Sequence, residues 1–343
     1  MTTALRQPRW IASPERVKEL SLVGLIVVSL LLFNTLIESY ISGRFFNRIA
    51  ISVAITALLA AGQSIVIIAR HVDLSVGSIV GVSAYVTGDL LSSNQGLSPA
   101  VAVAVAVGLG AGLGLFNGLL VAYAKIPSII VTLGTLALFR AVLTNIAGGT
   151  TLTTNQLPDW LVDLPRSTVW SVGDFDLRTM FVLAAAAAVC LQLVMSRLRW
   201  GRRIYAVGSN PEAAAQAGLP QARLTLSAFT VCGALAGLAG FMFLGQFGTV
   251  NVTAGSGLEL AAIAAAVVGG VSIQGGSGTV IGALLGAVLI EILDLSLVRV
   301  DQVSEFWRDA ILGGLILAAV IADVVVGKRL RRRSSSVKAS VTS

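Results

Sequence analysis

This chain is short of charge. Asp, Glu, Lys and Arg make up 12% of its 343 residues while 55% are hydrophobic, against about 25% charged in a soluble domain. A water-facing surface cannot be built at that density, and the mean hydropathy of +0.87 indicates an integral membrane protein. Cysteine is scarcer still, at two residues. Cys190 and Cys232 both sit inside apolar runs, far from any Cys/His pattern, which excludes a disulfide scaffold and a zinc site and leaves them as small core residues. The only histidine, His71, follows Arg70 at an expected inner interface, where a pH-sensing role is the lesser reading. No G-x-x-x-x-G-K-[ST] loop occurs; Gly327-Lys328 is followed by Arg329 and lacks the leading glycine spacing. Neither a nucleophile elbow nor a cluster of metal ligands is present. The chain does not itself hydrolyse nucleotide.

What the chain has in quantity is apolar runs of membrane length. They fall at about 20–37, 48–69, 74–92, 99–124, 127–147, 178–196, 223–247, 258–271, 279–298 and 307–326. Ten segments near the ~20 residues a spanning helix needs, with a short eighth, predict an all-α polytopic membrane protein with about ten transmembrane helices. The first run is too long, and too poor in a small-residue cleavage pattern, for a signal peptide. An even count puts both termini on one side. With the N-terminus inside, 17 of the 24 basic residues fall on inner segments, six on outer ones, and Arg140 within a span. That asymmetry makes both termini cytoplasmic. The net charge of +7 and pI near 10.0 thus have a topological meaning, and nucleic acid is not an expected partner. The expected division is a cytoplasmic segment 1–19, a transmembrane domain 20–326, and a basic, disordered cytoplasmic tail 327–343 that contacts anionic lipid.

One polar stretch, Arg197 to Pro220, interrupts these runs. Arg197, Arg199, Arg202 and Arg203 crowd its start; Asn210, Pro211 and Glu212 read as an N-cap, a first-position proline and a first-turn acid. Ala213 to Ala217 propagate a helix that Gly218 and Pro220 end, giving about two turns, too short to cross a bilayer. Gripped by a partner or merely interfacial, it is a capped rigid helix in the cytoplasmic loop 197–222.

Two other stretches are irregular at membrane depth. VDLSVGSIVG (72–81) holds Asp73, Ser75, Gly77 and Ser78; VSIQGGSGTVIG (271–282) follows Gly269-Gly270 and holds Gly275, Gly276 and Gly278. Broken backbone is tolerated there only when packed in protein or lining a wet cavity, so both are gate or pathway candidates. With two residues inserted they align on Val, Ser, Gly and Ser, and in this topology that echo reads as a possible parallel internal repeat. Asn117, Thr132, Thr135, Asn145, Gln246, Asn251, Glu259 and Gln274 are polar groups in or near spans, suited to line a path for a hydroxylated solute. Glycines at helical spacing (Gly110, Gly114, Gly118; Gly233, Gly237; Gly278, Gly282, Gly286) predict close helix contacts. Glu291 and Asp294 share one helix face, with Arg140, Arg299 or Arg308 as expected partner, and Asp309 and Asp323 lie further on. An intramembrane acid pair leaves open a proton-coupled secondary carrier, and a membrane scaffold without a pathway is the third reading.

EAAAQAG (212–218) resembles the E-A-A-x-x-x-G core of the cytoplasmic loop in ABC importer permeases, although the more distal I-x-L-P part is missing. Four further stretches, VDLSVGS (72–78), KIPSIIVTLGTLALFR (125–140), GRRIYAVGSNPEAA (201–214) and GLELAAIAAAVVGGVSIQGGSGTVIGALLGA (257–287), are similar in the same order to the ribose, galactose, rhamnose and autoinducer-2 branch of sugar permeases. The likeness runs from about residue 20 to 326; PSIIVTLGTLALFR looks closest to rhamnose and autoinducer-2 members, and the outer loop 148–177 carries no family motif. The resemblance implies a permease subunit of an ATP-driven sugar importer in the bacterial inner membrane, working with a second permease, identical or paralogous. It implies an extracytoplasmic sugar-binding protein, and a cytoplasmic ATPase that binds ATP and Mg, with no cofactor in this chain. Arg202, Arg203, Gly208, Asn210, Glu212, Ala213 and Gly218 are then expected to couple to that ATPase. Asp73, Ser75, Gly77, Asn117, Thr132, Thr135, Glu259, Gly269, Gly270, Gly275 and Gly276 are expected along the path or its gate.

Overall fold

Backbone polar groups in lipid have no water to bond, so long apolar runs resolve into helices. In the computed structural model, seven described helices are long and apolar enough to cross a membrane: α1 (Pro14–Leu36), α2 (Gly43–Ile68), α4 (Pro99–Ala122), α5 (Ser128–Ala147), α7 (Thr179–Arg197), α10 (Gln221–Phe247) and α12 (Val280–Leu297). α3 (Val76–Ser93), richer in hydroxyls, and α11 (Leu258–Val268), of eleven residues, complete the bundle. The structure describes residues 14–300 and seven further positions between 307 and 321. Residues 1–13, Arg308, Asp309, Asp323 and the tail from 327 lie outside the described residues, as does most of the expected tenth span.

α2 is the axis. From Val53 to Ile68 its side chains are buried on every face, and α10, α12, α11 and α7 surround it. The peripheral helices α1, α4, α5 and α7 turn Leu31, Leu119, Ile130, Leu133 and Leu193 outward, the apolar surface a lipid-facing helix needs. α4 and α10 meet at the expected glycines. A Cβ on Gly110 would stand 2.2 Å from the Gly233 carbonyl oxygen, and one on Gly114 2.3 Å from that of Phe229.

α2 and α11 end in the same way. After α2, the amides of Ala69, Arg70 and His71 donate to the carbonyls of Ile65, Ile67 and Val66; after α11, those of Gly269, Gly270 and Val271 donate to Ala265, Val267 and Ala266. The second residue of each trio is left-handed, with φ of 69° at Arg70 and 88° at Gly270. Glycine takes that conformation freely; arginine pays roughly 1–2 kcal/mol for it.

The connection between α5 and α7 departs from the all-α reading. It holds α6 (Asp159–Val162) and a two-stranded antiparallel hairpin, β1 (Thr168–Val172) with β2 (Phe175–Arg178), turning at the left-handed Gly173. Asn47 on α2 ties it down, donating to the Asp174 carbonyl and to Asp176 and accepting from the Asp176 amide. Alternating Val, Ser, Phe and Leu around Gly173 is a hairpin signal, masked by the length of the surrounding apolar runs.

Gly110→Ala or Gly233→Ala forces α4 from α10 and is expected to lower stability by roughly 1–3 kcal/mol, read as a lower unfolding midpoint in detergent. Gly112→Ala, with open space around the new methyl, leaves the midpoint unchanged or raises it.

Candidate functional site

The arginine-rich end of the bundle carries the site. Leu198 breaks α7, and α8 (Arg199–Ser209) begins at once, a helix that the sequence reading passed over as a basic run. Gly201, Ile204, Val207 and Gly208 face inward; Arg202 and Arg203 are exposed. Tight packing at Gly201 lets the helix turn back on α7, since a Cβ there would lie 2.2 Å from the Met195 carbonyl. Asn210 then ends α8 and caps α9 (Pro211–Gln216), its Oδ1 accepting from the Ala213 amide at 3.0 Å. Gly218, at φ 72°, closes α9 as expected. Glu212, Ala213 and Gly218 are exposed while Ala214 is buried, so α9 sits on the bundle by one side only.

The end of α8 touches the end of α2, just before the first irregular stretch, and the second stretch itself. A Cβ on Gly208 would lie 1.7 Å from the Ile68 carbonyl oxygen, and that oxygen accepts the Gly276 amide at 2.9 Å. Arg70 Nε donates to the Gly208 carbonyl at 2.6 Å and its Nη2 to that of Ser209 at 3.0 Å. Tyr205 Oη donates to the Gly278 carbonyl at 2.7 Å. Three elements from distant parts of the chain therefore meet backbone to backbone. The left-handed turn at Arg70 holds its guanidinium on α8, which sequence reasoning counted only as a topological charge. The signal was available: aligned with 269–271, Arg70 stands where the other stretch has glycine.

Glycine does the rest of the fitting. Gly275 sits against Arg70 and Gly208, Gly269 against Gly282, and Gly270 beneath the aliphatic stem of Lys18. Around them, Thr279 Oγ1 donates to Glu19 of α1 at 2.5 Å and the Val280 amide to Gln192 of α7 at 2.8 Å. The second irregular stretch is thus tied to α1, α2, α7 and α8.

Above this junction Asp73 and residues 75–78 are buried, with Val72 and Leu74 half-buried. Asp73 Oδ1 accepts from the Ser75 amide at 2.9 Å and from Ser75 Oγ at 2.6 Å, and Asn117 Nδ2 on α4 donates to Ser75 Oγ at 2.7 Å. Ser128 and Thr132 of α5 hold the amide and carbonyl of Val72, and Ser78 donates to the Leu136 carbonyl. Asp73, Ser75, Asn117 and Thr132 are therefore one cluster that joins the first irregular stretch to α4 and α5. Asp73 Oδ2 and Asn117 Oδ1 have no partner in the described chain, an arrangement a purely structural core rarely keeps. Thr135 stands apart, bonded back to the Thr132 carbonyl. His71 packs 5.9 Å from the Phe229 ring and shares a hydrogen bond with Thr225.

Glu259 belongs elsewhere. It starts α11 on the far side of α3, where Gly77 leaves room for its carboxylate. Arg140 is there too, Nη1 donating to the carbonyls of Val252 and Ala254 at 3.0 and 2.6 Å. Of the three cations expected beside Glu291 and Asp294, Arg140 holds a loop instead, Arg299 lies 5.8 Å over the rings of Tyr40 and Phe45, and Arg308 lies outside the described residues; Glu291 accepts from Thr56 Oγ1 at 2.5 Å.

Comparison with known proteins follows the same lines. A family described as branched-chain amino acid transport system / permease component matches residues 45–320. The autoinducer 2 import system permease protein LsrC of Yersinia enterocolitica is 37% identical over 292 residues, 85% of this chain and 78% of the relative. The protein of the same name from Escherichia coli O9:H4 is 36% identical over 306 residues, 89% and 86% of the two chains, and that from Yersinia pestis 37% over 286 residues, 83% and 79%. No solved structure matches.

Asp73→Ala strands the buried Ser75 amide and hydroxyl, at about 1–3 kcal/mol, and is expected to lower the unfolding midpoint in detergent. Asp73→Asn, which keeps an acceptor at Oδ1, recovers most of the loss.

Proposed function

Because the chain belongs to the family of branched-chain amino acid transport system permease components, we propose that it is the path-forming subunit of an ATP-driven importer for a sugar or a sugar-like solute such as autoinducer-2. It is a transport component, not an enzyme, and a multi-pass protein of the bacterial inner membrane. In this reading ten helices span the bilayer within residues 20–326, both termini are cytoplasmic, and residues 1–19 and 327–343 flank the membrane domain. The matching ends of α2 and α11 support a parallel repeat.

One observation carries the proposal. The exposed α8–α9 surface is held by contacts to the end of α2, which leads into the first irregular stretch, and to the second stretch. A push on Arg202, Arg203, Glu212, Ala213 and Gly218 from a cytoplasmic ATPase moves Gly208 and Asn210. It thereby moves the ends of α2 and α11, and through Asp73, Ser75, Asn117 and Thr132 it moves α4 and α5. Such a lever suits a rigid-body switch between two states of a packed bundle. ATP and Mg are bound by the ATPase and none is needed in this chain. A second permease copy or paralogue closes the path against the outward faces of the peripheral helices, and an extracytoplasmic binding protein delivers the solute. Glu259, Gly77 and the glycines 269, 270, 275 and 276 let the irregular stretches approach their neighbours rather than touch solute.

Arg70→Gly keeps the left-handed turn but removes the tether. In the reconstituted complex it is expected to cut solute uptake by about tenfold or more while nucleotide hydrolysis persists. Glu212→Lys together with Gly218→Val is expected to weaken ATPase association, measured by co-purification, and to lower uptake in parallel. Uptake sustained by a proton gradient after ATP depletion contradicts the proposal and selects a secondary carrier.

A further inference from the structure

At the opposite end of the bundle the chain after α10 turns in a way that no local residue pattern announces. Gly248 ends the helix at φ 61°, and Val250 pairs with Leu152 through two hydrogen bonds of 3.0 and 3.1 Å. From there the chain dips towards the bundle at Ala254 and Gly255, while Asn251, Thr253, Ser256 and Gly257 stay exposed. Ala254 and Gly255 are buried, and a Cβ on Gly81 would lie 2.6 Å from the Ala254 carbonyl oxygen. A buried loop needs its carbonyls satisfied, and Arg140 does this from α5, giving both its Nη1 bonds to Val252 and Ala254. Asn251 fixes the bend, its Oδ1 accepting from the Thr253 amide and hydroxyl at 3.0 and 2.8 Å. α11 starts only after this descent, which is why it is half the length of a span.

The descent leaves a cavity of about 300 Å³, at the small end of ligand pockets and open on one side. Its wall has two characters. Phe243 and Phe247, 4.4 Å apart between ring centroids, form an aromatic side. Thr151, Thr249, Asn251 and Ser256 supply the polar side. The hydroxyls of Thr151 and Ser256 take part in no hydrogen bond among the described residues, so they are available to a ligand.

Charge decides what fits. No charged side chain is among the residues that line the cavity. The nearby guanidinium of Arg140 is committed to two carbonyls. The start of α11, which would otherwise attract a carboxylate, is answered by its own Glu259, whose Oε1 accepts from the Gly257 amide at 3.2 Å. A zwitterionic amino acid therefore finds a partner for neither of its charges. A neutral, single-ring polyol finds hydroxyl partners of both kinds and aromatic faces for its C–H surface.

We propose that this cup is the entry subsite for one neutral, hydroxylated small solute, with Arg140 as the positioning residue that holds its floor. The inference rests on the importer reading, which places the cup on the extracytoplasmic side. Beyond that reading, it places the solute's first contacts on Thr151, Ser256, Phe243 and Phe247.

The test is uptake by the complete importer, with its ATPase and binding protein, in proteoliposomes presented with autoinducer-2, ribose, rhamnose and leucine. Wild-type protein is expected to take up at least one of the three hydroxylated probes, dependent on ATP, and not leucine. Ser256→Ala and Phe247→Ala are each expected to raise the half-saturating concentration of that probe about tenfold, the effect of one lost hydrogen bond or ring contact, with maximal rate within about twofold. Leucine uptake overturns the inference, and so does an unchanged half-saturating concentration in both variants, while ATP-dependent uptake of the hydroxylated probe leaves the importer reading standing. Absence of ATP-dependent uptake of every probe overturns the importer reading and the cup with it.

Discussion

Lipid tails are as apolar as leucine, so helices in a bilayer gain nothing by hiding apolar side chains from it and must be held by closeness of backbone. This constraint organises the whole chain. Gly110 and Gly114 let α4 lie on α10, Gly282 and Gly286 let α12 lie on Gly269 and Ala265, and Gly208 lets α8 rest on the last carbonyl of α2. Contacts of this kind have no side-chain cushion. A displacement at one is passed to the next rather than absorbed by rotamer change, as expected for a close-packed interior.

The polar interior is built on that stiffness. The two stretches that leave helical form do so where glycine or a strained arginine permits it, and each is held by neighbours on several sides. Ser75, Asp73 and Asn117 grip the first, Glu19 and Gln192 the second. α8 spans the gap between them. The resulting unit is continuous from α8 to both stretches, and the proposed lever needs it to move as one body. The positive φ of Arg70 is strained backbone, compensated by its two hydrogen bonds to α8.

Much of this was legible in advance, for identifiable reasons. α9 was readable from Asn210, Pro211, Glu212 and Gly218 because capping is local chemistry, and the structure places its cap bond where the sequence puts it. The glycine seams were readable because their spacing repeats with the helix. The coincidence of Asp73, Ser75 and Asn117 was only half visible: the first two are neighbours, while Asn117 arrives by packing of α4. α8 was missed since its arginines dominate its composition, and its inward face is defined by what it packs against. Arg140 was one of three cations offered to Glu291 and Asp294 because intramembrane charge suggests an acid, whereas here loop carbonyls take its guanidinium. The dip at Ala254 and Gly255 had no local signal at all; it exists because α3 offers Gly77 and Gly81 to receive it.

The central claim is that α8–α9 and the irregular stretches move as one piece when a partner ATPase closes. Spin labels at Ala213 and Ile273, each paired with one at Gln95 near the opposite end, test it in the assembled complex by distance measurement with and without nucleotide. The account predicts an unchanged Ala213–Ile273 distance while both distances to Gln95 shift together. A change in the Ala213–Ile273 distance with both others fixed would contradict it.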